Sequence, residues 1–365
     1  MKRAPGAFRM PAEYSSHLGT VMIWPERPGS WPYGAAEARK AFADVIRAVT
    51  RSEKAFVAVS QRGRASAETA LADELAAGKA ELWECETDDA WARDIGPTCV
   101  VGGGEVRGVD WKFNAWGGES NGLYASWAKD DAFAAFVCAK LGLPRTDARP
   151  FVCEGGSVHS DGEGTLLVTE ECLLSPGRNP GLTKAEIEKK LRAFLGAEKV
   201  LWLPYGIYGD ETDGHVDNVC AFTAPGEVVL AWTADPDSPD YDRLRADAEY
   251  LGSVTDAAGR GIKVRKLLLP REAVRITERD AAGFVYEPGE AVRVPGERLA
   301  ASYVNFYVTN GGVIVPAFGD ENDGAAAEVL AEAFPGREIL PVAARAIIVG
   351  GGNVHCITQQ IPEAI

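Results

Sequence analysis

The chain has 365 residues, 46% hydrophobic and 25% charged, a composition that supports a sizeable folded core. Its formal net charge of −15 at pH 7 disfavours nucleic acid as a partner and is compatible with a small cationic one, through long-range attraction. No apolar run approaches the ~18 residues of a membrane-spanning helix, and seven scattered cysteines without a C-x-x-C pair argue against a disulfide framework or zinc ribbon.

Met1 to Tyr14 carries Lys2, Arg3 and Arg9, but no apolar stretch follows, so no secretory signal is expected. With the cysteine usage, this predicts a reduced, cytoplasmic setting. Ala35 to Arg51 reads as a helix, with Phe42, Val45, Ile46 and Val49 spaced three and four apart. A strand follows at Ala55 to Val59. The polar turn Asp88 to Pro97 precedes an apolar segment at Thr98 to Val101, and Glu154 to Asp161 precedes another at Thr165 to Val168. Thr183-Lys184-Ala185-Glu186 reads as a capping box opening a helix that runs to about Leu195. Strands are predicted at Lys199 to Leu203, at Glu227 to Trp232 after the turn Asp213 to Asn218, and at Ile262 to Leu269. Ser302 to Asn310 precedes Val313 to Val315, Gly324 to Phe334 is a further helix, and Gly350 to Thr358 closes the series. Strand, turn and helix thus recur at intervals of roughly fifty to ninety residues, without a low-complexity linker. Such repetition predicts a closed, pseudo-symmetric α/β arrangement whose turns converge at one end of a central axis.

The turn at Gly350-Gly351-Gly352-Asn353-Val354-His355-Cys356 carries the strongest chemical signal. Three glycines in a row pack nothing and cost backbone entropy, unless backbone must approach a ligand closely. The stretch Gly155-Gly156-Ser157-Val158-His159-Ser160 has the same shape, which places Cys356 where Ser160 falls in another unit. Six cysteines sit in apolar or helical context and read as small buried hydrophobes. Cys356 reads as a nucleophile, with backbone amides of the glycine turn able to lower its thiol pKa. In His215-Val216-Asp217, extended geometry would put His215 and Asp217 on one face. They read either as a catalytic histidine with its carboxylate or as a structural pair. His159 and His355 read as sharing a structural role, with His355 facing away from Cys356; His17 has no assigned role.

Asp94 and Glu154 open polar turns in two further units. Alone, each has a plain alternative: a salt bridge to Arg93, or a backbone cap. As a set, one thiol, one histidine and several carboxylates suit a delocalised cation, because a guanidinium offers a flat fork of donors that carboxylates match bidentately. Its central carbon is also open to attack by sulfur. Trp91 and Trp116 could cover the cation face or simply fill the core.

These residues lie in motifs that run nearly end to end: Met10-Pro11-Ala12-Glu13-Tyr14 with Trp24-Pro25, Asp88 to Pro97, Phe113 to Gly118, Glu154-Gly155-Gly156, Glu211 to Asn218, and Gly350 to Gln360. In them the chain resembles the agmatine deiminases, within the bacterial peptidylarginine deiminase-like family of guanidine-modifying enzymes. The resemblance implies a single domain, residues 1–365, built as a five-bladed α/β propeller. It further implies hydrolysis of agmatine to N-carbamoylputrescine and ammonia, with no metal or organic cofactor. Cys356 would be the nucleophile, His215 the general acid and base, Asp94 and Asp217 the guanidinium-binding carboxylates, and Glu154 an acid orienting His215 or substrate. One departure is visible: Asp213 stands where Asn is expected. With Glu211 nearby it could meet the distal ammonium of agmatine, or it could face solvent. Family members tend to form homo-oligomers, although the sequence carries no interface signature of its own.

Three rival readings remain. A deiminase of arginine or peptidyl-arginine would share the guanidinium grip, and an arginine at the distal end would favour it. A metallohydrolase using His215, Asp217, Glu154 and Asp94 would leave Cys356 without a role. An interaction scaffold would leave the clustered acids unexplained.

Overall fold

The computed structural model describes residues 7–364; Lys2 and Arg3 lie outside the described residues. Five small sheets make up the β-structure. The first contains β1 (His17–Ile23), β2 (Lys54–Val59) and β3 (Ala80–Glu84). Next come β4 (Thr98–Gly102), β5 (Glu105–Lys112) and β6 (Arg145–Val152), then β7 (His159–Ser160), β8 (Thr165–Thr169) and β9 (Lys199–Leu203). The fourth holds β10 (Cys220–Ala224), β11 (Glu227–Trp232) and β12 (Lys263–Leu268); the fifth holds β13 (Tyr307–Val308), β14 (Gly312–Ala317) and β15 (Glu338–Ala343). The last strand, β16 (Gln359–Pro362), returns to pair antiparallel with β1, so the C-terminal segment closes the ring onto the N-terminal sheet.

One rule repeats in every sheet. A first strand pairs antiparallel with a second, as in β4 with β5, and the second pairs parallel with a third, as in β5 with β6. A parallel neighbour needs a crossover, which a helix supplies. The crossovers are Ala36–Val49, Phe133–Leu141, Lys184–Leu195, Tyr241–Ser253 and Asp323–Ala333. The first buries Phe42, Val45, Ile46 and Val49, the apolar stripe expected from their spacing. The third opens on the Thr183/Glu186 capping box, with both reciprocal hydrogen bonds formed. The predicted elements match these within a few residues. The helices Phe133–Leu141 and Tyr241–Ser253 escaped the sequence reading.

The propeller places chemistry by topology. Each polar turn immediately precedes the first strand of a sheet: Ala92–Ile95 before β4, Gly155–Ser157 before β7, Val216–Asn218 before β10, the Asn305 segment before β13, and residues 350–358 before β16. The two Gly-Gly-X-Val-His stretches nevertheless differ in structure. Ser160 already lies in β7 and donates to the Met10 carbonyl, whereas Cys356 sits in a turn three residues before β16.

Candidate active site

Four of the five turns line one pocket, and the Gly155–Ser157 turn backs it, with the Gly156 amide on Asp94 and the preceding Glu154 beside His215. Cys356 is half-buried on its wall. Its Sγ lies 3.4 Å from Asn305 Oδ1 and 3.8 Å from Asp217 Oδ2. His215 lines the same pocket and is buried, with Nδ1 3.8 Å from Asp94 Oδ1 and Nε2 3.7 Å from Glu154 Oε2. His215 and Asp217 do share the site while Val216 enters the core, although a 3-10 turn rather than a strand arranges this. Asp94 accepts from the Gly156 amide and from Trp116 Nε1, each at 2.9 Å. Arg93 points elsewhere, toward Gln360, the His355 carbonyl and Glu13, so it is no salt-bridge partner of Asp94.

The glycines are required by close approach. A Cβ on Gly352 would stand 2.5 Å from Trp91 Cζ3 and 3.0 Å from Cys356 Cβ. One on Gly156 would stand 2.5 Å from His215 Nδ1 and 2.9 Å from Asp94 Oδ1. Trp116 adopts φ 63°, an uncommon conformation for a bulky residue, and thereby aims its indole at Asp94.

Electrostatics reverse one expectation. Burial, then the charges of Asp217 and Asp94, push the Cys356 thiol well above its ordinary value, so the glycine turn does not yield a resting thiolate. Burial also pushes Asp94 up, to about 6, against the pull of His215. Burial disfavours the charged form of His215, but Asp94, Cys172 and Glu154 outweigh it and hold the ring well above the usual histidine range. Burial opposes ionisation of Asp217 and Glu154 too, and His355 and Arg178 respectively overcome it, keeping both carboxyls low. The resting pocket thus holds a neutral thiol, an imidazolium and carboxylates.

Trp91 and Trp116 line the pocket together with Tyr124. Trp91 is fixed by Nε1 hydrogen bonds to Asp89 and Tyr124. Glu211 lines the outer part, where Arg293 meets it bidentately at 2.8 and 2.7 Å. Asp213 is not brought to the pocket. Its φ of 60° turns the carboxylate onto Arg178 at 2.9 Å, which explains the acid at that position without a ligand. Arg27 also lines the outer part and is paired with Glu290. Six carboxylates, those of Asp94, Asp210, Glu211, Asp217, Glu290 and Glu297, therefore face two arginines, each already engaged by an acid.

Sequence reasoning missed three important groups. Asn305 belongs to the one polar turn, Ser302 to Asn310, from which no residue had been selected; the repeat logic could have found it. Arg178 has a buried guanidinium 2.8 Å from Glu154 Oε1, and only its Gly177 and Pro180 bracket hints at a special position. His355 is not turned idly away: its turn geometry places Nδ1 2.7 Å from Asp217 Oδ2.

Among the described residues, two clusters bring three potential metal-ligand atoms within 4.8 Å: Glu13 with His159 and His355, and Glu154 with Cys172 and His215. Each already has a resident cation. His355 is 2.6 Å from Glu13 Oε2, and Arg178 is 2.8 Å from Glu154. A divalent ion would have to displace those pairings, so the donor sets fit a metal poorly.

Residues 9–362 match the Porphyromonas-type peptidyl-arginine deiminases, and the chain belongs to that family. Within it, the chain is similar to the agmatine deiminase of Enterococcus faecalis, whose solved structure superposes with a TM-score of 0.93 at 43% identity, covering 100% of both chains. A Selenomonas ruminantium protein provisionally named agmatine deiminase is 54% identical over 97% of this chain and 96% of its own length. A C. jejuni agmatine deiminase solved with substrate bound, carrying a Cys-to-Ser change, is 25% identical with a TM-score of 0.83, covering 100% of this chain and 99% of its own. No helix among the described residues is long and apolar enough to cross a membrane.

Proposed function

We propose that this chain hydrolyses the guanidinium group of agmatine to N-carbamoylputrescine and ammonia through a covalent intermediate on Cys356. The observation that carries the reading is the Cys356 thiol among Asp94, Asp217 and the His215 imidazolium, in a chain similar end to end to agmatine deiminases.

The substrate cation enters between Asp94 and Asp217 and balances the two charges that, with burial, keep the thiol protonated. Cys356 then loses its proton to solvent and the thiolate attacks the guanidinium carbon, giving a neutral tetrahedral adduct. His215 donates its proton to one amino nitrogen, which leaves as ammonia, and a thiouronium remains on sulfur. Neutral His215 next takes a proton from water as that water attacks the same carbon. Collapse breaks the C–S bond, releases the ureido product and returns the thiol. Asp94 and Asp217 hold the fork throughout, and Glu154 keeps the imidazole oriented.

The charge pattern of the outer pocket supports agmatine over arginine: both arginines there are engaged by acids, so neither is presented to a substrate carboxylate. One catalytic domain spanning the chain, a homo-oligomer in solution and a reduced cytoplasmic setting belong to the same proposal; all seven cysteines are free. Light scattering gives the assembly. Ammonia release from agmatine, arginine and a blocked peptidyl-arginine, before and after iodoacetamide, tests the reaction. Agmatine-selective turnover lost on alkylation, and absent in Cys356→Ala, is expected. Turnover confined to the arginine substrates would overturn the substrate, and activity in Cys356→Ala would overturn the mechanism.

A further inference from the structure

Glu13 and His355 take no part in the steps above, yet they stand directly behind Asp217. His355 Nδ1 lies 2.7 Å from Asp217 Oδ2, and its Nε2 lies 2.6 Å from Glu13 Oε2. All three side chains are buried. Ionised carboxylates only accept hydrogen bonds, so two such contacts require N–H on both ring nitrogens, an imidazolium. The outer acid is itself fixed: Glu13 Oε1 accepts the Val308 amide at 2.9 Å, and Arg93 Nη2 stands 3.5 Å from Oε2. The His355 amide donates to Asn305 Oδ1 at 3.0 Å, which ties the same residue to the group beside the Cys356 thiol. Among the described residues, Tyr307, whose hydroxyl burial pushes well above its ordinary value, faces Glu13 and Arg93, the Cys356 thiol follows His355 in the chain, and the His159 ring centroid lies 6.3 Å away. Burial pulls His159 down to about 4, so it stays neutral, and its Nδ1 accepts the Phe222 amide.

Charge therefore alternates from Arg93 to Glu13 to His355 to Asp217. The chain ends on Asp217 Oδ1, which has no hydrogen-bond partner among the described residues, on a side chain that lines the pocket. We propose that His355 is a positioning residue: a permanent buried imidazolium that, anchored by Glu13, keeps Asp217 ionised with one oxygen reserved for the substrate's guanidinium. The inference rests on the guanidinium reading of the pocket and assigns a role to the Met10–Tyr14 motif, which the reaction itself does not use. It also explains how an aspartate survives as an anion in a buried site beside Asp94: without His355, burial and its neighbour would drive it toward the neutral acid.

Two measurements test it. The chain has four histidines, so [13Cε1]histidine NMR of the full-length protein resolves each ring, and the signal removed by His355→Gln or His355→Asn identifies this one. An imidazolium signature that persists above the ordinary histidine range is expected; a ring that turns neutral within that range overturns the proposal, whatever the substrate. Calorimetry of agmatine binding to Cys356→Ala protein is the second. Adding His355→Gln should weaken binding about tenfold or more while Asp217 is present, and less than about twofold in an Asp217→Asn background. Equal losses in the two backgrounds would show a merely structural role and refute it. Where His355→Gln does not fold, Glu13→Gln replaces it, with a smaller loss that must likewise vanish in Asp217→Asn. If Cys356→Ala protein ignores agmatine altogether, the substrate reading falls, and the spectrum still decides His355.

Discussion

Arg178 offers the sharpest test of how the pocket is held. Its guanidinium and the Glu154 carboxylate are both fully buried and lie 2.8 Å apart. At an effective dielectric of 20 that separation corresponds to ~6 kcal/mol of attraction, most of it offset by the desolvation of two charges. Deleting one partner removes the attraction and leaves the other charge stranded, which costs about 3–5 kcal/mol. Arg178→Met keeps the length and removes the charge; it also removes the donors to the Thr212 carbonyl and Asp213. Urea unfolding at pH 7 of the parent, Arg178→Met, Glu154→Gln and the double variant measures this. The single arginine variant should lose about 3–5 kcal/mol, and adding Glu154→Gln should restore part of it, because the Glu154 carboxylate is then no longer stranded without its arginine. The pH dependence should invert as well. In the parent, Glu154 is held below its ordinary 4.5, so its contribution is present above that value and lost as pH falls. In Arg178→Met its carboxyl moves above 4.5, and stability should decline as pH rises through the new value. A loss under about 1 kcal/mol, or a double variant no better than Arg178→Met, would refute the argument.

Asp94 must be ionised to grip a guanidinium and is pushed up to about 6, so kcat/KM should fall about tenfold per unit of pH below that value; a profile flat to pH 5 would contradict it. Asp247 is pushed up to about 8, chiefly by burial. Its folded pKa lies above the unfolded one, so its stability contribution is full below about 4 and lost as pH rises through 8. Asp247→Asn, which can still accept the Tyr205 amide, should therefore gain on the parent in urea midpoint between pH 4.5 and 9; a constant gap would be evidence against this. Asp213→Asn should leave KM for agmatine within about twofold, since that carboxylate serves Arg178. A large rise in KM would return it to the substrate.

The sequence alone determined most of the architecture and singled out the groups proposed to react. Strand and helix periods, the Thr183 capping box and the recurrence of polar turns are local properties, and each survives folding because it is written within a few neighbouring residues. Cys356, His215, Asp217 and Asp94 were legible for the same reason, being set in turns whose glycines have no other use. The repeats imply a closed ring but not the strands that close it: β16 pairs with β1 across almost the whole chain, and no local pattern announces that pairing. The ionisation states were likewise undecided before folding. Cys356 is held neutral by burial and then by carboxylates from two other turns, while His355 keeps Asp217 low against burial and Arg178, an arginine from a loop with little sequence signal, does the same for Glu154. Charge acts through space and grows with burial, so only the tertiary structure could assign the partners of Asp213, Glu211 and His355.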